Sequence, residues 1–357
     1  MNPPYTLLEL FSGIGGMRTA FQLAGLKFDS VTAIDLNPNA NDLYSKVFND
    51  CPEQRDISST PLAWFENLAA TVWSMSPPCQ PYTRQGNMRR EQDTRNSALG
   101  RLTHVLSEIQ NFPSLLVLEN VNGFQDSVSC RELVSVLRRR GMTVTGYLIN
   151  PLDHGFPNSR LRFYLVGVRT GEDAGESFGE EPLEIKTEFD EQVGRLDRPI
   201  AEFLNKDTDS IELEVPLSVL SKPSSVCFDI VAANSTQSLC FTSNYGRLVK
   251  GAGSVLLITE PQGIPPEWDH RKRPIFNLSA EEMPQLAGCL RYFAPEEIAR
   301  LQGFKAGLEV GRSESDVPDF QTALKSVSTR VGWKLLGNSL NPRIVCSIVS
   351  DAMARRP

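Results

Sequence analysis

The chain has 357 residues, of which 40% are hydrophobic, and a net charge of −7 at pH 7. This length and apolar content predict a globular protein with one large and one smaller domain. No apolar run approaches the roughly 20 residues that span a bilayer, and the N-terminus lacks the pattern of a signal peptide. The seven cysteines form no CxxC pair. We therefore expect an intracellular protein with reduced thiols, without a disulfide framework or a zinc site.

Charge is distributed unevenly along the chain. Residues 171–214 carry a net charge of −11, which leaves +4 for the remainder. Five arginines lie between residues 84 and 101, among them Arg84 and Arg95. Such a basic segment is typical of a contact with a polyanion, and equally of a solvated charged face.

The first elements predict an α/β unit that binds a nucleotide-like ligand. An apolar strand, Tyr5–Phe11, precedes the glycine-rich turn Ser-Gly-Ile-Gly-Gly at 12–16 and a helical pattern. A dinucleotide fingerprint would require glycine in place of Arg18, so NAD is not expected. A second strand ends at Asp35, where a carboxylate can accept hydrogen bonds from ribose hydroxyls. The alternative is that Asp35 only caps the turn after it.

Two strand ends carry candidate catalytic groups. The apolar run 71–75 leads into Ser-Pro-Pro-Cys, and the prolines stiffen the loop that holds Cys79. Cys79 is either a nucleophile or a small buried hydrophobe. Glu119 follows the apolar strand Leu115–Leu118. Because a carboxylate there is costly without a partner, Glu119 has either a catalytic role or a structural partner.

The remainder of the chain is predicted to complete the first domain and to form a second one. Two further strands are expected at 143–149 and 162–168, and alternation places Arg160 and Arg162 on one face. Strand-like sequence covers 239–257, Ser279 and Glu282 predict a capping box that opens a helix, and the last helix is Pro342–Ala354. We expect a catalytic and cofactor-binding domain from 1–175 and 325–357, with a target-recognition domain at 176–324.

Taken in order, seven motifs resemble those of the cytosine-5 methyltransferases. They are Phe-Ser-Gly-Ile-Gly-Gly at 11–16, Asp35, Ser-Pro-Pro-Cys at 76–79, Glu-Asn-Val at 119–121, Arg-x-Arg at 160–162, Arg-Tyr-Phe at 291–293 and Gly-Asn-Ser at 337–339. Within that family the chain is most similar to the eukaryotic branch that methylates tRNA-Asp. Cys-Phe-Thr at 240–242 is the most specific feature of this narrower resemblance.

The resemblance implies an α/β fold with a doubly wound, mostly parallel sheet, that of the class I S-adenosylmethionine-dependent methyltransferases. It implies transfer of a methyl group from S-adenosylmethionine to carbon 5 of cytosine 38 in the anticodon loop of tRNA-Asp, with S-adenosylhomocysteine as product. Cys79 would add to carbon 6 of the ring, and Glu119 would protonate or hydrogen-bond N3. Arg162 would lie near the cytosine O2, and Arg160 beside the nucleophile and phosphates.

The family pattern also implies the binding residues. The cofactor pocket would be lined by Phe11, Ser12, Gly13, Gly15, Gly16, Asp35, Asp56, Ile57 and Pro78, and closed by Asn338 and Ser339. Contacts with tRNA would come from Arg84, Arg95, Cys240, Phe241 and Thr242.

Two alternatives remain open. A DNA cytosine-5 methyltransferase would share the catalytic residues, and a nucleic-acid-binding protein could retain the fold with impaired catalysis. The expected partner is tRNA, with weaker binding of DNA left open. We expect no metal, no membrane contact, a monomer, and a location in the cytoplasm, with the nucleus left open as a second location.

Overall fold

The computed structural model describes residues 5–78, 98–170, 181–189, 197–206, 211–262, 278–304 and 318–354. The chain divides into two compact units. The first comprises Met1–Ile149, Leu161–Gln192 and Pro342–Pro357, and the second comprises Asn150–Arg160 and Val193–Asn341. Residues 150–160 and 325–341 therefore group with the second unit, whereas the predicted boundaries place them in the catalytic domain, and residues 176–192 group with the first unit rather than with the predicted target-recognition domain. Residues 158–160 group with the second unit because they hydrogen-bond to residues 238–241.

The first unit contains a seven-stranded sheet. Its strands in chain order are β1 (Tyr5–Leu10), β2 (Phe28–Ile34), β3 (Val72–Met75), β4 (Leu115–Val121), β5 (Met142–Ile149), β6 (Arg162–Arg169) and β7 (Ile185–Lys186). They pair in the order β2-β1-β3-β4-β6-β5-β7. β6 runs antiparallel to both of its neighbours, and the other pairs are parallel. The predicted mostly parallel sheet is therefore confirmed.

Helices cover both faces of this sheet. They are α1 (Gly16–Leu23), α2 (Pro38–Phe48), α3 (Leu62–Leu68), α4 (Ala98–Glu108), α5 (Val128–Arg139) and α10 (Pro342–Ala354). Side chains of α3, α4 and α5 share one core with Trp73 and Leu116, while α1 lies against α10. β3 is buried along its whole length, as expected for a strand covered on both faces. No helix in the described residues is both long and apolar enough to cross a membrane.

The parallel pairing of four strands stops at one level, and this places the candidate site. Leu10 of β1 pairs with Ile34 of β2 and with Met75 of β3, and Met75 pairs in turn with Leu118 of β4. We call this level of the sheet the carboxyl edge; β1, β2 and β3 end there, while β4 continues to Val121 beside β6. The glycine turn, Asp35, the Ser-Pro-Pro segment and Glu119 all follow directly from it. In open α/β sheets, ligands bind at such an edge.

The second unit contains a small sheet and short helices. The elements are β8 (Asp229–Val231), β9 (Ser254–Leu257), β10 (Leu290–Arg291), α6 (Leu217–Leu220), α7 (Pro295–Leu301), α8 (Phe320–Lys325) and α9 (Thr329–Gly337). Its core is aromatic: Tyr245 lies edge-on to the rings of Phe241, Tyr292 and Trp333 at centroid distances of 5.0–5.5 Å. Such pairs stabilise a core beyond their buried area.

Two sequence predictions in the second unit were wrong in part. Within the strand-like sequence 239–257, only Ser254–Leu257 forms a strand. The capping box forms half of its hydrogen bonds, since the Ser279 amide donates to Glu282 Oε2 (2.7 Å), but no α-helix follows. Instead the chain forms a 3₁₀-helix, Met283–Leu286. Pro284 explains this, because a proline inside an α-helix lacks the amide donor and clashes with the preceding turn.

Candidate active site

The glycine turn joins β1 to α1 through backbone conformations that ordinary residues rarely adopt. Phe11, Gly13 and Gly15 have φ angles of +56°, +53° and +86°. A Cβ atom on Gly15 would lie 2.2 Å from Cε2 of Phe48, so α1 can approach α2 this closely only with glycine. A Cβ on Gly13 would meet no atom within 4 Å. The turn therefore packs on one side and leaves open space beside Gly13.

Backbone hydrogen bonds complete the turn. Ser12 is buried, and its amide donates to Ile34 O (2.9 Å), which fastens the turn to β2. The Gly15 amide donates to Ser12 O (2.8 Å), and Gly16 is the first residue of α1. The hydroxyl of Ser12 has no hydrogen-bond partner in the described part of the chain.

Asp35 links the end of β2 to the glycine turn. Its Oδ2 accepts the Gly13 amide (2.9 Å) and its Oδ1 accepts the Asn37 amide (2.8 Å). The turn role considered for Asp35 is therefore confirmed. A carboxylate oxygen can accept more than one hydrogen bond, so a further contact with a ribose stays a prediction.

The other predicted cofactor residues of the first unit lie around the same strands. Asp56 is exposed and caps the 3₁₀-helix Ile57–Ser59, accepting the amide (2.9 Å) and the hydroxyl (2.7 Å) of Ser58. Ile57 is buried in the core. Pro78 is exposed and directly follows the buried Pro77. Asp56 thus orders its own turn, and Pro78 offers an apolar surface beyond β3.

Two predicted catalytic residues from distant motifs meet at the end of β4. Arg162 Nε lies 3.3 Å from Glu119 Oε1, and their side chains are 18% and 13% exposed. Arg162 also donates to Leu161 O (2.9 Å). The partner expected for Glu119 is therefore this guanidinium. Asn120 donates to Pro77 O (3.4 Å), which ties the end of β4 to the segment that leads to Cys79.

Three predicted residues cannot be placed. Cys79, Arg84 and Arg95 lie outside the described residues. Their roles remain predictions from the sequence.

Arg160 does not share the environment of Arg162. β6 begins only at Arg162, so the alternation expected of a strand does not extend back to Arg160, and that prediction was wrong. Arg160 is 4% exposed, and among the described residues its hydrogen bonds go to the second unit. Its Nη1 lies 3.3 Å from Cys240 Sγ and 3.4 Å from Phe241 O.

The same guanidinium reaches the last predicted cofactor segment. Arg160 donates to Gly337 O (3.5 Å) and to Ser339 O. Gly337 is required here, because a Cβ would lie 2.2 Å from the Thr242 carbonyl carbon. Asn338 is exposed at the end of α9, and Ser339 is half-buried. Arg160 therefore joins residues 240–241 to residues 337–339 through hydrogen bonds.

The Cys-Phe-Thr segment is only partly available to a substrate. Cys240 and Thr242 are half-buried, whereas Phe241 is 1% exposed and packs edge-on against Tyr245 and Phe293. The Phe241 side chain therefore offers almost no surface to tRNA in this structure, and the predicted contact is not supported by its burial. Its ring anchors the segment in the aromatic core, so Cys240 and Thr242 remain the candidates for contact.

Sequence reasoning missed Glu9, which lies inside β1. Glu9 is 1% exposed, and burial raises the pKa of its carboxyl to about 7. The signal was present, because Glu9 interrupts an apolar strand as Glu119 does, and the same desolvation cost applies to both.

In the described residues, no group of three or more His, Cys, Asp or Glu side chains is arranged to hold a metal ion.

Comparison with known proteins gives a consistent result. The family model "C-5 cytosine-specific DNA methylase" matches residues 5–353. A tRNA (cytosine(38)-C(5))-methyltransferase of Schizosaccharomyces pombe is 33% identical over 96% of this chain and 95% of its own. A DNA (cytosine-5)-methyltransferase of Dictyostelium discoideum is 29% identical over 96% of this chain and 93% of its own. The crystal structure of S. pombe Dnmt2 methyltransferase superposes with a TM-score of 0.73 at 31% identity, covering 97% of each chain.

Proposed function

Because the chain belongs to the family of C-5 cytosine-specific DNA methylases, we propose that it methylates carbon 5 of cytosine 38 in the anticodon loop of tRNA-Asp. The observation that carries the proposal is the carboxyl edge, where the glycine turn follows β1, Asp35 follows β2, and the Glu119–Arg162 pair joins β4 to β6. The S. pombe relative, named for the cytosine-38 reaction, supports the choice of tRNA.

The family implies S-adenosylmethionine as the methyl donor, and the residues of the glycine turn fit it. The open space beside Gly13 leaves room for a ligand at the carboxyl edge, and Asp35 offers a carboxylate at its border. When bound, the cofactor supplies an electrophilic methyl group, and S-adenosylhomocysteine is the product. Phe11, Gly13, Asp35 and Pro78 are the first-unit residues we propose as its contacts, and no metal takes part.

The proposed chemistry begins with Cys79. Carbon 5 of cytosine is a weak nucleophile, and addition of a thiolate to carbon 6 converts the ring into an enamine-like nucleophile. Negative charge then develops towards N3, where Glu119 holds or donates a proton, a contribution of roughly 10²–10⁴-fold. Arg162 keeps Glu119 in position through their 3.3 Å contact. After methylation, loss of the proton at carbon 5 and elimination of the thiolate restore the aromatic ring and the free enzyme.

A loop substrate fits this chemistry better than a duplex. A base must leave its stack before the thiol can reach carbon 6, and this costs a few kcal/mol in a duplex and less in a loop. The Dictyostelium relative, which is named for DNA, supports DNA methylation as the second candidate. We also propose that the first unit carries catalysis and cofactor binding and that the second contributes to target recognition.

The decisive assay compares the two substrates directly. Tritiated methyl transfer from S-adenosylmethionine is measured with tRNA-Asp, with the same tRNA carrying uridine at position 38, and with duplex DNA. We expect label only in the tRNA with cytosine 38. Label in duplex DNA at a comparable rate, with none in tRNA, would replace the tRNA proposal with the DNA alternative.

The role of Cys79 has its own test. A tRNA-Asp with 5-fluorocytosine at position 38 should trap the enzyme in a denaturant-resistant complex, since fluorine blocks the elimination that frees the thiol. Cys79→Ala should form no complex and transfer no methyl group. Cys51→Ala removes an exposed thiol and serves as the control, with trapping unchanged. Trapping by Cys79→Ala would contradict the proposed nucleophile.

A further inference from the structure

Glu9 lies beneath the glycine turn and connects three elements of the first unit. Its Oε1 accepts the amide of Arg18 (3.1 Å), which belongs to the first turn of α1. Its Oε2 accepts the hydroxyl of Tyr44 (2.8 Å) on α2. One buried carboxylate on β1 therefore holds both the start of α1 and the helix against which Gly15 packs.

α1 depends on this carboxylate because its own cap is missing. Gly15 is the N-cap residue and has no side chain to accept an amide hydrogen bond. The first amides of a helix need acceptors, and a negative charge at this end is favourable. Glu9 supplies both from the neighbouring strand. Asp35 accepts the Gly13 amide within the turn, so two carboxylates hold this region, one at the glycine turn and one at the start of α1.

The direction of the hydrogen bonds requires an ionised Glu9. Arg18 Nη1 donates to the Tyr44 hydroxyl oxygen (3.0 Å) and to Asp50 (2.8 Å), so the single Tyr44 proton is directed at Glu9. Both groups that face Glu9 are therefore donors. A protonated carboxyl would present its own hydrogen to one of these donors and lose that hydrogen bond.

We propose that ionised Glu9 is the positioning group that holds the start of α1, and with it the glycine turn, in the conformation that binds the cofactor. The inference deepens the proposed function and rests on its cofactor assignment. Burial raises the pKa of Glu9 to about 7, while Tyr44 and Arg18 act to lower it and Asp35 acts to raise it. Asp50 is hydrogen-bonded to Arg18 through the guanidinium, not through the amide that Glu9 accepts. Cofactor affinity should therefore fall as the pH falls through about 7.

The test uses S-adenosylhomocysteine as the probe and isothermal titration calorimetry of the full chain between pH 6 and pH 8.5. If only the ionised form binds, wild-type affinity should be about tenfold weaker at pH 6 than at pH 8.5, because the competent fraction drops by that factor. Glu9→Gln should bind more weakly at pH 8.5 and lose this pH dependence. Ser74→Ala is the matched control: Ser74 is buried beside Glu9 on β3, and its hydroxyl has no partner in the described residues.

A second variant keeps the proposal testable if Glu9→Gln does not fold. Tyr44→Phe removes a hydrogen bond that lowers the pKa of Glu9, so the midpoint of the affinity profile should move to higher pH. In the protein without cofactor, the Arg18 amide resonance should titrate with the same midpoint.

The possible failures can be told apart. If wild type binds S-adenosylhomocysteine with the same pH profile as Glu9→Gln, the positioning role is overturned and the proposed function stands. If the wild type does not bind at any pH, the cofactor assignment fails, and the inference fails with it. An unchanged midpoint in Tyr44→Phe would also count against Glu9 as the titrating group.

Discussion

Replacing Asp35 separates the two roles that its geometry allows. The carboxylate accepts the amides of Gly13 (2.9 Å) and Asn37 (2.8 Å), and we expect it to accept a ribose hydroxyl of the cofactor as well. Asp35→Ala removes all of these acceptors. A hydrogen bond to a charged group contributes about 1.5–3 kcal/mol. Loss of the ribose contact alone should therefore weaken S-adenosylhomocysteine binding roughly 10- to 150-fold.

A double-mutant cycle isolates the ribose contact from the loss of the turn. The second perturbation is made in the ligand, by use of S-adenosylhomocysteine analogues that lack the 2′- or the 3′-hydroxyl. If Asp35 accepts that hydroxyl, the analogue should lose little further affinity in Asp35→Ala, with a coupling of roughly 1 kcal/mol or more. Calorimetry measures all four affinities.

The control for this cycle is Asp29→Ala, which removes an exposed carboxylate from the same strand. Asp29→Ala should leave the affinity for S-adenosylhomocysteine, the affinity for each deoxy analogue, and the difference between them unchanged. If the losses in Asp35→Ala are additive for both analogues, Asp35 orders the turn but does not contact the ribose. The reasoning from its spacing after the glycine turn would then be refuted.

Two further predictions concern stability, measured by urea denaturation. Glu297 is fully buried in a bidentate ion pair with Arg291, so Glu297→Ala should lower the free energy of unfolding by about 3–5 kcal/mol. Glu202 pairs with Arg198 at the surface of the same unit, so Glu202→Ala should lower it by only about 0–1 kcal/mol. Equal losses in the two variants would contradict this prediction. Gly15→Ala and Gly25→Ala share a left-handed backbone, with φ angles of +86° and +82°, but only the former has a clash. Overpacking should therefore make Gly15→Ala about 1–3 kcal/mol less stable than Gly25→Ala. An equal loss of stability in both variants would mean that α2 can move away from the added methyl group without an energetic penalty.

The sheet and the carboxyl edge could be predicted because their cause is local. The runs at 72–75 and 115–118 are buried throughout and apolar except for Ser74, which is the pattern of strands covered on both faces. The polar residues that follow each run then mark the strand ends. Since ends of parallel strands meet at one edge, Asp35 and Glu119 could be assigned to one site without knowledge of the strand order.

The partners of buried polar groups could not be predicted, because they depend on contacts far apart in sequence. Glu119 was recognised as a carboxylate that needs a partner, but only the antiparallel pairing of β4 with β6 identifies Arg162. Glu9 was missed because its strand was interpreted only as the support of the glycine turn. Its two donors, the Arg18 amide and the Tyr44 hydroxyl, become apparent once α1 and α2 are in place.

Arg160 shows why a catalytic motif does not by itself assign a catalytic role. Its guanidinium is 4% exposed and hydrogen-bonds to Phe241 O, Gly337 O and Ser339 O. These acceptors belong to the predicted substrate segment and to the predicted final cofactor segment, so one side chain fixes both. Loss of activity in Arg160→Ala would therefore follow from the displacement of either segment. Such a loss alone cannot establish a contact between Arg160 and a phosphate or the nucleophile, whereas a change in S-adenosylhomocysteine affinity without tRNA would reveal the positioning role.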